Sequence, residues 1–256
     1  CFIDRIESMN GELNAFRMPT PERALDAARA ADRLLASGQR LGPLHGVPYA
    51  AKDLYDVQGL PTSAGARVLE DNIAAADSHT VASLARAGMV LLGKTNTVQF
   101  AYGGVGVNHD HGTPVNPWGN AHHVPGGSSS GSGVAVAAGL APMGLGTDTG
   151  GSVRIPAALC GISGLKTTVG RVPRTGVYPL SWSLDSVGPL ARSVEDCALV
   201  YEAISGHDEG DPSTHGQQPQ RVLQALDGDI RGLRVGFAQT AFWDDADAQT
   251  VARVRA

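Results

Sequence analysis

A layered α/β domain with a largely parallel sheet is the fold class this chain predicts, and three observations predict it. Two stretches share one pattern, an apolar helix that leads through a glycine into a short buried strand. They are "SHTVASLARAGMVLLGKTN" from Ser78 and "GSGVAVAAGLAPMGLG" from Gly131. Helices that alternate with short apolar strands pack on both faces of a mostly parallel sheet. The composition agrees: of 256 residues, 42% are hydrophobic and 18% charged, the balance of a chain that buries a sizeable core.

The elements follow in order. The chain opens in a helical pattern, "FIDRIESMNG". The clearest helix is "TPERALDAARAADRLLASG", where Thr20 suits the N-cap and Pro21 the first turn. Ala24, Ala28, Ala31 and Leu35 share its inner face, and Gly38 suits its end. The next helix starts at Ser78 and stops at Gly88, ahead of a strand at 89–92. Its counterpart runs into a strand near 143–146. A later helix starts at Ser193, with Asp196 completing a capping box, and stops at Gly206. "LRVGFA", residues 233–238, reads as a further strand. Residues 1–256 read as one domain, with the polar loop "HDEGDPSTHGQQP" at 207–219 as the candidate boundary between halves. Both ends look cut, since the chain begins with Cys1 inside a helical pattern and ends on "DAQTVARVRA" without a capping residue. The expectation is the N-terminal portion of a longer domain.

Charge and cysteine usage exclude several classes. The net charge is −5 and no dense Lys/Arg run appears, so nucleic acid is not an expected direct partner. No apolar run approaches the roughly 20 residues that span a bilayer, and no signal peptide opens the chain. Cys1, Cys160 and Cys197 fit neither a disulfide framework nor a zinc spacing, which points to a reducing, cytoplasmic setting. Each reads as a small buried apolar residue.

Several short motifs invite chemistry that their surroundings withhold. "GGSSSGSG" has the composition of a flexible linker, yet it opens straight into the apolar "VAVAAGLAPMGLG". As a phosphate cradle it lacks the lysine that supplies the charge. Residues 127–131 match the G-x-S-x-G elbow with Ser129 at the centre, but "NAHHVP" is a poor strand to feed it. The downstream histidines, His207 and His215, sit in the polar loop. Ser163 to Lys166 fits S-x-x-K without its companion motifs. His109, His111, His122 and His123 lack an accompanying carboxylate pattern and read as solvated loop residues. No metal or cofactor is implied.

"GTDTGGSVRIPAALCG", residues 146–161, is different. Thr149, Gly150, Gly151 and Ser152 stand where a helix opens, so their N–H groups lack intrahelical partners. Glycines let a carbonyl approach those donors without a Cβ in the way. A serine closing the run stands beside its own oxyanion hole, the arrangement acyl transfer needs. Serine needs a base, and no histidine is near. Lys52, in "PLHGVPYAAKDLYDVQGLPT", can serve if burial lowers its pKa from about 10.4. The plainer readings are a surface ion pair for Lys52 with Asp53, and turn or capping roles for Ser128 and Ser152. Asp148 and Arg154 read as braces of the loop.

"GVPYAAKD", "GKTN", "PGGSSSGSG" and "GTDTGGSVRIPAALCG", in that order, resemble the amidase signature family of serine hydrolases. The likeness extends from "RIESMNGELNAF" to "SLDSVGPLARSVEDCALVYEAISG". It implies a mixed α/β/α fold and a Ser–cis-Ser–Lys triad: Ser152 the nucleophile, Ser128 the bridge after a cis bond from Gly127, Lys52 the base. It also implies an oxyanion hole from the amides of Thr149, Gly150, Gly151 and Ser152, and substrate contacts along 95–106. The expected activity is hydrolysis of a small-molecule amide, without cofactor. The alternatives are the glutamine-hydrolysing component of a tRNA-dependent amidotransferase, its A subunit, which needs partner subunits, and a non-catalytic binding module. A homo-oligomer is compatible with either.

Overall fold

The computed structural model describes all residues except 119–122, 227, 237–239 and 256. It divides into two units, residues 1–226 and 227–256. In the first, the elements run α1 (Phe2–Leu13), β1 (Phe16–Pro19), α2 (Pro21–Ala36), β2 (Pro48–Lys52), α3 (His79–Arg86) and β3 (Val90–Thr95). They continue with α4 (Ser130–Ala137), β4 (Met143–Asp148), α5 (Arg154–Cys160), β5 (Ser163–Gly164), β6 (Ser186–Ala191) and α6 (Val194–Ile204). The second unit carries α7 (Ala248–Arg255).

The six strands form one sheet in the order β1-β3-β2-β4-β6-β5. Its centre is parallel, with β2 between β3 and β4. Its flanks are antiparallel: β1 against β3, β6 against β4, and β5 against β6. The sheet is therefore mixed, with more antiparallel pairing than helix–strand alternation alone implies. Side-chain alternation sorts the core onto two faces. Tyr49, Ala51, Leu91 and Leu145 pack with Val81 and Leu84 of α3 and with Cys197, Val200 and Ile204 of α6. Ala50, Val90 and Leu92 pack on the other side with Ile6 of α1, Ala24 of α2, and Val134 and Ala135 of α4.

The caps differ in detail from their expected form. Ser78 accepts from Val81 N at 3.4 Å and Ser193 from Asp196 N at 3.1 Å. Thr20 stands at the N-cap of α2, but its buried hydroxyl makes no hydrogen bond among the described residues. On that helix Ala24 and Ala31 are buried, whereas Leu35 lies outward, 48% exposed. The strand expected at 233–238 does not form at 233–236, and Phe237 and Ala238 lie outside the described residues. The loop at 207–219 lies inside the first unit, where Asp211 binds both Arg174 and Ser213. Cys160 and Cys197 are buried thiols, pushed up to about 12 and about 11 by desolvation, whereas Cys1 is exposed. Among the described residues, no helix is long and apolar enough to cross a membrane.

Candidate active site

Lys52 closes the central strand β2, and that position seals it: the side chain has no solvent exposure. Its Nζ reaches Ser128 Oγ at 2.8 Å and Thr147 Oγ1 at 2.9 Å. Among the described residues, no carboxylate lies in hydrogen-bond contact with it. Burial penalises the ammonium, and the charges of Asp185 and Asp148 oppose that effect without cancelling it. The result is a lysine lowered to about 7.

The neighbouring Asp53 belongs to a different lysine. Its carboxylate pairs with Lys94 Nζ at 2.6 Å, on β3, and accepts a hydrogen bond from Ser63. Lys94 also donates to Pro61 O at 2.6 Å and Thr62 Oγ1 at 3.1 Å. In the β2–β3 register Lys94 stands opposite Ala51, one residue from Lys52, so the two lysines project from opposite faces. The surface pair of Lys52 with Asp53 does not form.

Ser128 lies in the turn that feeds α4, after a cis Gly127–Ser128 peptide bond. Its carbonyl accepts from Thr97 Oγ1 at 2.8 Å and Val98 N at 3.2 Å, and Gly127 N donates to Gly104 O at 2.8 Å. The segment 95–106 is thereby tied to the serine turn. Part of it, with Val98, Phe100, Tyr102 and Val105, lines a cavity of about 460 Å³. Ser129, the centre of the elbow motif, is wholly buried and uses its hydroxyl on the backbone of Thr147.

Asp148 ends β4 and organises the Gly-Gly turn beyond it. Its buried carboxylate accepts from Gly151 N (2.8 Å), Val153 N (3.1 Å) and Arg154 Nε (3.0 Å). Desolvation acts to raise its pKa, but the Arg154 guanidinium and these N–H groups outweigh it and hold the carboxyl below its usual range. Gly151 N is thus occupied. Thr149, Gly150 and Ser152 keep N–H groups that no atom of the described residues accepts. Ser152 itself is 8% exposed. Its carbonyl accepts from Ser129 N at 3.2 Å, which ties the two serine turns together. No hydrogen bond joins the hydroxyls of Ser128 and Ser152.

The structure therefore links Lys52 to Ser128 directly and brings the Ser152 turn against the same wall through the backbone. Sequence reasoning missed Thr147, Asp185 and Lys94. All three stand inside stretches that carry the family likeness, but nothing local marks a threonine or an aspartate as a lysine's neighbour. The histidines divide. His109 and His123 are exposed, and His122 lies outside the described residues. His111 is not the solvated residue expected: its side chain is 7% exposed, with Nδ1 3.8 Å from Glu70 and Nε2 unpartnered among the described residues.

A layered α/β protein with a sealed lysine–serine pair beneath a Gly-Gly turn is the class these features define. The chain belongs to the Amidase family, whose model matches residues 1–256. It is 48% identical over 249 residues to 2-amino-5-chloromuconic acid deaminase of Comamonas testosteroni, covering 97% of this chain and 52% of that protein. It is 46% identical over 253 residues to the A subunit of glutamyl-tRNA(Gln) amidotransferase from Chromohalobacter salexigens, covering 99% and 52%. The native peptide amidase of Stenotrophomonas maltophilia superposes with a TM-score of 0.80 at 39% identity, over 86% of this chain and 46% of that one. The chain spans about half the length of the curated relatives it matches.

Proposed function

We propose that this chain carries the nucleophilic centre of an amide hydrolase. Ser152 attacks the carbonyl, Ser128 relays the proton, and Lys52 is the base. The observation that carries this reading is a wholly buried lysine, lowered to about 7, with its Nζ 2.8 Å from Ser128 Oγ. A base poised near neutrality holds a large uncharged fraction at working pH. The uncharged amine accepts the Ser128 proton while one of its own N–H groups donates to Thr147.

In the forward step, the Ser152 oxygen bonds to the amide carbon and its proton passes through Ser128 to Lys52. The unpaired amides of Thr149, Gly150 and Ser152 face the oxygen on which charge develops. The Gly151 amide, committed to Asp148, stands outside this donor set. The same relay returns the proton to the amine as the C–N bond breaks, and water then releases the acid from Ser152.

Fluorophosphonate labelling of the full-length protein tests the assignment. Label on Ser152 is expected, with labelling lost in Ser152→Ala and reduced at least about 100-fold in Ser128→Ala and Lys52→Ala. Full labelling or turnover by Ser152→Ala would refute it.

A second reading has a specific observation behind it. Relatives 45–48% identical include many A subunits of glutamyl-tRNA(Gln) amidotransferase, which favours glutamine as the amide. A glutaminase assay with and without candidate partner subunits separates the two.

A further inference from the structure

Asp185 joins the Thr149 turn to the loop that precedes β6 and lines a cavity together with Thr147. It stands at the entry to β6, 9% exposed, and one carboxylate oxygen accepts the hydroxyl proton of Thr149. The other accepts Leu180 N at 2.8 Å and Ser181 N at 3.0 Å, pinning the loop that precedes it. With Thr147 and Ser186 it lines a cavity of about 340 Å³, and Thr147 is the second partner of Lys52.

Its charge also acts on the lysine. The charged groups bearing on Lys52 are Asp185 and Asp148, and Asp148 is already shared with Arg154. Ser128 and Thr147 face Nζ as neutral hydroxyls, Tyr55 commits its hydroxyl to Gly146 O, and Asp53 and Lys94 neutralise each other on the far face. Asp185 is the larger of the two opposing effects and, among the described residues, has no cation bonded to it.

We propose that Asp185 is a positioning residue: its carboxylate holds the Thr149 hydroxyl and the 180–181 loop, which orients the Thr149 amide and sets the electrostatic field of the wall where Thr147 meets Lys52. This rests on the amide-hydrolase reading. The role is distinct from the relay, because Asp185 touches neither serine hydroxyl.

The test is the rate of fluorophosphonate labelling at Ser152 against pH, in the full-length protein, for wild type, Asp185→Asn, Thr149→Val and Thr149→Ser. Asparagine keeps an acceptor for the Thr149 hydroxyl and removes the charge, so the midpoint of the labelling profile moves to lower pH. Mere loosening would admit water, relieve the desolvation of Lys52 and move the midpoint the other way. Thr149→Val removes the hydroxyl and slows labelling about tenfold at the plateau, less than loss of an oxyanion donor outright. Thr149→Ser restores most of that rate.

An unchanged or raised midpoint in Asp185→Asn overturns the proposal, and so does wild-type labelling by Thr149→Val. If Asp185→Asn does not fold, the two Thr149 variants decide. Absence of label on wild-type Ser152 would instead sink the hydrolase reading itself.

Discussion

Burying an ammonium without a bonded carboxylate costs the fold stability, and the pKa of Lys52 measures that cost. A fall from the ordinary 10.5 to about 7 corresponds to roughly 5 kcal/mol, what remains of the desolvation cost after the charges of Asp185 and Asp148 have opposed it. The sign follows from linkage. Between pH 7 and 10.5 the unfolded chain holds a proton that the folded one has lost, so stability rises with pH across that window. Lys52→Met is therefore expected to raise Tm most below pH 7, with the gain shrinking as pH climbs towards 10.5. Thermal melts at pH 6 and pH 9 check this; a gain independent of pH contradicts it. At this scale the sequence marked Ser152 as a candidate by its Gly-Gly-Ser turn, and the family likeness singled out Lys52 as the candidate base. The sequence did not separate Lys52 from Asp53. That separation depends on Lys94, 42 positions after Lys52, arriving on the next strand to take the carboxylate.

At the scale of elements, the Lys94–Asp53 pair clamps β3 to the segment that follows β2. Both groups are buried, so removing one strands the other as an unpaired charge. Lys94→Met is expected to cost about 3–5 kcal/mol, read as a fall in the denaturation midpoint. The two glycines of the turn differ in kind. Gly151 adopts φ +125°, and a Cβ there would stand 2.7 Å from Ile155 Cδ1. Gly150 has ordinary φ, and a Cβ would meet nothing within 4 Å. Gly151→Ala should destabilise by about 1–3 kcal/mol. Gly150→Ala should leave stability within about 0.5 kcal/mol and slow Ser152 labelling, since the added methyl enters the space a carbonyl would use. Helices were the readable elements, with α2, α3 and α6 announced by cap and stop residues and α4 by the apolar run that follows Gly131. β2 and β6 were not, for a physical reason. "PYAAK" is poor in β-branched residues, and "SVGPLA" puts Gly188 and Pro189 mid-strand. The glycine is needed there, because a Cβ at 188 would collide with Leu165 O.

At the scale of the molecule, the site is gathered at the parallel centre of the sheet from the end of β2, the turn before α4 and the end of β4. Parallel strands demand long crossovers, which is why residues 52, 128 and 152 are far apart in sequence and share one wall. Order along the chain could not reveal that meeting; only the family likeness pointed to it. The chain spans about half the length of its curated relatives, and the proposed amide is tested on the full-length protein. A free-standing amidase should release ammonia from simple primary amides without added protein. An amidotransferase component should hydrolyse glutamine, with the rate raised by its partner subunits.

The most direct measurement is the pH profile of fluorophosphonate labelling at Ser152, with Lys52→Met as control. The expected rate rises with pH through a midpoint near 7 and collapses in the variant. A rate flat from pH 5 to 9, or one that survives Lys52→Met, would contradict the proposed relay.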